Sequence, residues 1–202
     1  SGPVSASTSS RKSATRRSMS ATWSTACSYA RSSSRNGRFL INSVQNRGHG
    51  VQIWNVASQK LEHFIQTPLD VTAVALDPSQ KTLVAALYIP ESKTQRPEGI
   101  IVGFDFASRA KLFEMKGVKG HVTAFSFHPS GRYLASSEYG TRPNFSIWDI
   151  QERKARFRNE EGGRQTLDIA FSPDGKSLAV AVETSGDIGN PSTLEMYDAG
   201  TA

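Results

Sequence analysis

Apolar and polar residues along this chain alternate in short segments that recur in pairs. The first segment of each pair has large apolar residues at alternate positions, as a half-buried strand requires, and occurs at residues 71–76, 122–127 and 166–171. The second segment is a nearly continuous run of apolar or small residues, typical of a strand buried on both faces, and occurs at residues 83–88, 133–137 and 178–182. The pattern therefore predicts pairs of strands, which we call a and b.

A tight turn joins strand a to strand b in each pair. Proline fixes one backbone dihedral of such a turn, and glycine accepts positive φ without steric cost. The three copies read Asp77-Pro78-Ser79-Gln80-Lys81, His128-Pro129-Ser130-Gly131-Arg132 and Ser172-Pro173-Asp174-Gly175-Lys176. Asn36-Gly37-Arg38-Phe39-Leu40 is an incomplete first copy. Each pair is thus predicted to be a hairpin.

A second landmark follows each hairpin, an apolar segment with an aromatic residue near its end. The aromatic residues are Trp54, Phe104, Trp148 and Tyr197, so the steps between them are 50, 44 and 49 residues. Each is followed directly by Asn or Asp, which favour turns. A more charged segment comes next at residues 61–66, 112–116 and 155–159, as expected of an outer strand. One unit of four strands, a to d, is therefore repeated along the chain.

The third unit contains the most complete set of sequence landmarks. In order it reads Gly120-His121, Phe127-His128-Pro129-Ser130-Gly131, Leu134-Ala135-Ser136-Ser137 and Ile147-Trp148-Asp149. On these residues the chain resembles the WD40-repeat β-propeller family from about Asn36 to its end. The resemblance implies an all-β fold, a β-propeller of four-stranded antiparallel blades at residues 37–66, 69–116, 120–159 and 165–199.

The number of blades falls short of a complete ring. The last unit stops after strand c, whereas seven blades need on the order of 300 residues. We expect an incomplete propeller that is part of a larger, seven-bladed ring, with a small ring of four or blades borrowed from another chain as alternatives. An open arc would expose apolar blade faces, so self-association or completion by the remaining blades is expected.

The resemblance also implies a buried hydrogen-bonded set that locks the third blade. It comprises His121, a hydroxyl from Ser136 or Ser137, and Trp148. The aspartate that completes the set in the family is absent, since Glu138-Tyr139 stands in its place.

The sequence Phe-Ser-Pro-Asp-Gly-Lys at residues 171–176 is also found in TolB-type propellers and in propellers attached to serine peptidases. Only the two Trp landmarks and Gly120-His121 favour the WD40 family over these.

Composition separates a basic leader from a neutral remainder. Residues 1–36 hold six of the 24 Lys and Arg and no acidic residue, which leaves 18 basic residues against 18 acidic ones. This Ser-rich leader is predicted to be mostly disordered, with 23–29 as a candidate first strand a. It also resembles a transit peptide and offers a contact for nucleic acid, which we do not expect as the main partner. No apolar run has membrane-spanning length, and the single Cys27 favours a reducing, intracellular and cytoplasmic location.

The connections between strands b and c are the long ones, and all lie on one rim of the predicted blades. Because binding usually resides in loops on a rigid scaffold, this rim is the candidate partner-binding face. Its candidate contact residues are Lys93, Arg96, Tyr139, Arg142 and Asp187. No catalytic constellation, metal-ligand spacing of the four histidines or phosphate-binding loop occurs, so neither an enzyme nor a cofactor is expected.

These observations predict a non-enzymatic scaffold that binds a peptide or partner domain on the b–c rim. Two alternatives remain. The chain is a propeller module, of WD40 or TolB type, in a larger enzyme or assembly whose catalytic part lies elsewhere, or it contacts nucleic acid through the basic leader.

Overall fold

Every regular element in the described part of the chain is a β-strand. The computed structural model describes residues 31–44, 48–91, 97–139, 144–160, 164–184 and 193–200. The strands of the first two sheets are β1 (Arg31–Ser33), β2 (Phe39–Val44), β3 (Gly50–Asn55), β4 (Lys60–Gln66), β5 (Asp70–Leu76), β6 (Thr82–Ile89), β7 (Glu98–Asp105) and β8 (Lys111–Lys119). The strands of the last two sheets are β9 (His121–Phe127), β10 (Tyr133–Tyr139), β11 (Phe145–Asp149), β12 (Lys154–Asn159), β13 (Arg164–Phe171), β14 (Ser177–Thr184) and β15 (Thr193–Asp198).

The strands form four antiparallel sheets in which neighbours in sequence are neighbours in space. Sheet 1 is β1-β2-β3-β4, sheet 2 is β5-β6-β7-β8, sheet 3 is β9-β10-β11-β12, and sheet 4 is β13-β14-β15. The predicted all-β class built from four-stranded antiparallel units is confirmed. In the described residues sheet 4 consists of three strands, which occupy the positions of strands a, b and c.

The first sheet begins earlier than the sequence repeat. Strand β1 occupies the strand a position beside β2, within the residues assigned to the basic leader. Its Ser32 hydroxyl accepts a hydrogen bond from the Leu76 backbone N–H of the next sheet at 3.4 Å. The rest of the leader, including the candidate strand at 23–29, lies outside the described residues.

The a–b turns are closed by the side chain of the residue before each proline. Asp77 accepts hydrogen bonds from the backbone N–H groups of Lys81 and Thr82 at 2.7 and 2.6 Å. In the equivalent turns, His128 Nδ1 accepts from the Ser130 N–H at 3.1 Å, and the hydroxyl oxygen of Ser172 accepts from the Ser177 N–H at 2.9 Å. Three chemically different residues thus satisfy turn amides at the same repeat position.

The sheets pack face to face in sequence order and form an arc. Sheet 1 contacts sheet 2 through β1, β2 and β3 against β5, sheet 2 contacts sheet 3 through β9, and sheet 3 contacts sheet 4 through β9 and β10 against β13. In the described ranges, none of the extensive contacts between strands joins sheet 1 to sheet 4. The buried side chains lie between consecutive sheets, with strand b contributing Leu83, Leu134 and Leu178, all of which are fully buried.

The two ends of the arc leave apolar side chains exposed. Leu194 and Met196 of β15 are 68% and 62% exposed, whereas Phe145 and Ile147 at the same repeat positions in β11 are 1% and 3% exposed. Sheet 4 covers Phe145 and Ile147, and no described sheet covers their counterparts. At the other end, Leu40 is partly exposed while its counterparts in the other sheets are buried.

Candidate interaction rim and its buried support

A chain of buried hydrogen bonds runs through sheet 3 to the b–c rim. The indole Nε1–H of Trp148 donates to the Ser136 hydroxyl oxygen at 2.8 Å. The Ser136 hydroxyl donates in turn to Glu138 Oε1 at 3.2 Å, and Glu138 Oε2 accepts from the Lys119 backbone N–H at 2.8 Å. All three side chains, Trp148, Ser136 and Glu138, are at most 1% exposed. The set links strand c to strand b and to the chain segment that enters sheet 3.

Glu138 is a buried carboxyl group in this set. Burial raises its pKa above the ordinary value of 4.5, and hydrogen bonds together with the nearby Arg158 guanidinium act in the opposite direction without cancelling the effect. The Arg158 guanidinium also lies over the Trp148 ring, with Cζ 5.1 Å from the ring centroid. Sequence reasoning did not assign either Glu138 or Arg158 to this set. A carboxylate at the position of the family's aspartate was the available signal for Glu138.

The two candidate serines face opposite sides of the sheet. Ser136 is the one that contacts Trp148. The Ser137 hydroxyl lies 2.6 Å from Thr123 Oγ1 and accepts from the Ala124 backbone N–H at 2.8 Å. Ser137 therefore ties strand b to strand a and, through Thr123, approaches sheet 4, where the Thr166 carbonyl accepts from the Thr123 hydroxyl at 3.3 Å.

His121 lies at the rim, apart from the Trp148–Ser136 pair. Its half-buried ring packs edge-on against Tyr88 of sheet 2, with centroids 5.3 Å apart and an interplanar angle of 67°. Burial lowers the pKa of the imidazole from 6.5, which favours the neutral ring. Within the described residues, His121 makes no hydrogen bond to Ser136 or Trp148. The structure therefore places this histidine in a contact between blades.

Aromatic residues from two sheets come together on the b–c rim. Tyr139 is opposite His121 in the register of β9 and β10, and its side chain is 43% exposed. Tyr88 occupies the repeat position in sheet 2 that Tyr139 occupies in sheet 3. We call Tyr88, His121 and Tyr139 the rim aromatic cluster. Sequence reasoning missed Tyr88, although a tyrosine at one repeat position in two units was a readable signal.

The other candidate rim residues, Lys93, Arg96, Arg142 and Asp187, lie outside the described residues. Across the described ranges, no group of three His, Cys, Asp or Glu side chains has the geometry of a metal site. No helix in this same part of the chain is long and apolar enough to cross a membrane.

Comparison with known proteins gives one family and several relatives. The WD40 family model, described as WD domain, G-beta repeat, matches residues 112–149. The chain is 24% identical over 155 residues to the p21-activated protein kinase-interacting protein 1-like of Gallus gallus, and this match covers 76% of the chain and 38% of that relative. It is 25% identical over 161 residues to transducin beta-like protein 2 of Mus musculus, covering 74% of the chain and 35% of that relative. The chain thus spans little more than a third of these relatives.

Solved structures show the same fold. Hydrazine synthase of Kuenenia stuttgartiensis superposes with a TM-score of 0.65 at 16% identity, covering 78% of this chain and 44% of that one. The Cps50 (Swd1) β-propeller domain of Myceliophteria thermophila superposes with a TM-score of 0.58 at 20% identity, covering 77% and 49%. At these identities the similarity concerns the fold, which is that of a β-propeller.

Proposed function

Because this chain belongs to the WD40-repeat β-propeller family, we propose that it is a non-enzymatic scaffold that binds a peptide or a partner domain on the b–c rim. Propellers of this family are generally protein-interaction scaffolds. One relative is named for its interaction with a protein kinase, which supports a protein as the partner.

The rim aromatic cluster is the observation that carries this proposal. Tyr139 is exposed next to the half-buried His121, and Tyr88 supports that histidine from the neighbouring blade. Tyrosine and arginine are common energetic anchors of protein interfaces because they combine a large contact area with a polar end. The buried Trp148–Ser136–Glu138 set lies below the cluster and fixes the backbone from which Tyr139 projects. The described part of the rim therefore combines a rigid base with an exposed tyrosine.

Single substitutions test the rim. We expect Tyr139→Ala, Arg96→Ala and Arg142→Ala each to weaken capture of protein partners, by about tenfold or more where the residue is an anchor, while the melting temperature stays close to that of the native chain. Lys154→Ala is the matched control, because Lys154 is exposed on β12 and pairs with Glu152 away from the rim. Quantitative pull-down and thermal unfolding are the measurements. Unchanged capture by all three rim variants would contradict the proposal.

The structural similarity to hydrazine synthase favours a second candidate, in which this propeller is a module of a larger assembly whose catalytic part lies outside the chain. A catalytic segment in the flanking reading frame would support this candidate. Contact with nucleic acid through the basic leader is a third possibility, and it predicts a salt-dependent affinity that deletion of residues 1–36 abolishes.

A further inference from the structure

A cleft separates sheets 3 and 4 on the rim opposite to the b–c loops. It has a volume of about 710 Å³ and is lined by turn residues of both sheets and by their strands. This volume lies within the usual range of sites for small ligands or a few side chains. Aromatic rings of Tyr133, Phe171 and Tyr197 form part of its walls. The cleft is therefore a site with apolar surfaces at a junction between two blades.

Positive charge enters the cleft from both blades. Arg156 projects from β12 of sheet 3, and Lys176 lies in the a–b turn of sheet 4. Neither residue forms an ion pair with any carboxylate in the described ranges. The lining also includes the Asp198 carboxylate, whose Oδ1 accepts a hydrogen bond from the Gly200 N–H at 2.8 Å. Two cations against one carboxylate leave the cleft with a net positive charge.

A comparison of two arginines shows why Arg156 is available. The Tyr133 ring has the Arg132 guanidinium carbon 5.3 Å and the Arg156 guanidinium carbon 5.5 Å from its centroid. Arg132 is neutralised by the buried Asp149 carboxylate at 2.8 Å and by Glu152 at 3.5 Å. Arg156 rests on the same ring without an acidic partner in the described part of the chain. Its planar guanidinium is held by the ring and retains its hydrogen-bond donors for a ligand.

We propose that this cleft binds a short peptide segment in which an acidic side chain stands next to an apolar one. The acidic group bonds to Arg156 and Lys176, and the apolar side chain lies against Tyr133, Phe171 and Tyr197. Charge-assisted hydrogen bonds to guanidinium are among the stronger polar contacts, and the aromatic walls bury the neighbouring side chain. Such a ligand would connect blade 4 to blade 3. The site is separate from the b–c rim, so either one can fail a test alone.

A labelled peptide tests the site. The probe is a fluorescein-labelled hexapeptide of sequence Gly-Asp-Phe-Asp-Leu-Gly, and the measurement is fluorescence anisotropy with the full chain. We expect saturable binding that weakens roughly tenfold in Arg156→Gln and further in the Arg156→Gln/Lys176→Gln double variant. Lys154→Gln, on the same strand but paired with Glu152, should bind as the native chain does. Tyr139→Ala on the b–c rim should also leave binding unchanged.

Three outcomes would overturn the proposal. Equal binding of the peptide with Asn in place of both Asp residues would remove the role of the acidic group. Unchanged affinity of the double variant would place the peptide elsewhere on the protein. Displacement by inorganic phosphate as effective as by unlabelled peptide at the same concentration would reveal an anion site without peptide recognition. Unfolding of the double variant does not confuse these results, because both positions are exposed and circular dichroism reports the fold.

Discussion

At the scale of single residues, one carboxyl group stands out because it is buried where most carboxyl groups are not. Glu138 replaces the aspartate that the family places near this position. Its side chain accepts hydrogen bonds from Ser136 and from the Lys119 backbone. The Ser136 hydroxyl, which accepts a hydrogen bond from the Trp148 indole N–H, is therefore itself oriented by the bond that it donates to Glu138. This orientation explains how the set is satisfied although His121 lies apart from it.

The raised pKa of Glu138 predicts a pH dependence of stability. Between 4.5 and the higher pKa in the folded protein, the folded state binds more protons than the unfolded state, so the free energy of unfolding falls as pH rises. Glu138→Gln removes this decrease in the free energy of unfolding, because the amide does not titrate. We expect urea midpoints of the variant, relative to the native chain, to rise as the pH is raised from 4.5 through the folded-state pKa of Glu138. Parallel pH profiles of the two proteins would contradict this prediction.

At the scale of elements, the a–b turn of sheet 3 contacts the a–b turn of sheet 4 through the side chain of His128. His128 Nδ1 accepts the Ser130 N–H, so a neutral ring carries its proton on Nε2 and donates it to the Gly175 carbonyl oxygen in the next turn at 3.1 Å. The same ring packs edge-on against Phe171 at 5.2 Å. One side chain thus closes its own turn and fixes the following one. The sequence shows only that His128 stands before the turn proline, where the other units have Asp77 and Ser172.

Glycine substitutions in two equivalent turns test this contact. Gly131 and Gly175 both have φ of 74°, so alanine at either position incurs a backbone cost of about 1 to 2 kcal/mol. A Cβ on Gly175 would in addition collide with the His128 ring, whereas the nearest atoms to a Cβ on Gly131 are 3.9 Å away. We expect Gly175→Ala to lower the melting temperature more than Gly131→Ala, and His128→Ala to relieve part of the excess. Equal decreases in melting temperature for the two glycine variants would contradict this prediction, because they would show that the His128 ring moves aside without loss of stability.

Much of the fold at this scale follows from local sequence. The alternation of apolar residues and the Pro-Gly turns identify strands a and b, and the aromatic landmark identifies strand c. The pattern of apolar residues does not show where the pairing register of two strands shifts. In β10 the register against β9 shifts between Ser137 and Glu138. Such a bulge depends on contacts between strands and not on periodicity. For the same reason the sequence left Ser136 and Ser137 as alternatives, and only the register of the sheet shows which one faces Trp148.

At the scale of the whole molecule, the arc has two end faces that no described sheet covers. Leu194 and Met196 expose most of their surface, while their counterparts Phe145 and Ile147 are buried under sheet 4. Contiguous apolar surface of this kind usually marks a site of association. Neither the identity nor the source of the covering element can be read from local sequence, because it depends on chain or partner segments beyond the arc.

Charge on this face is expected to change the association of the chain. We expect Leu194→Asp/Met196→Asp to shift the isolated chain towards the monomer in light scattering coupled to size-exclusion chromatography, with little change in melting temperature. Both residues are already exposed, so the substitutions remove no internal packing. Leu112→Asp, on the exposed side of β8, is the control, since Leu112 is 45% exposed within the arc. Equal effects of the control and the double variant would show that association is not specific to the end face.

Across the described ranges, the main contacts of each sheet are with the sheet before it and the sheet after it. Removing the last blade would uncover Phe145 and Ile147, a surface of the same chemical kind as the one that Leu194 and Met196 present now. The free energy gained by adding a blade is therefore similar at every step. The contact between two neighbouring blades does not depend on how many blades are already present. The size of the finished assembly must be decided by curvature, by the angle through which each sheet turns from its predecessor.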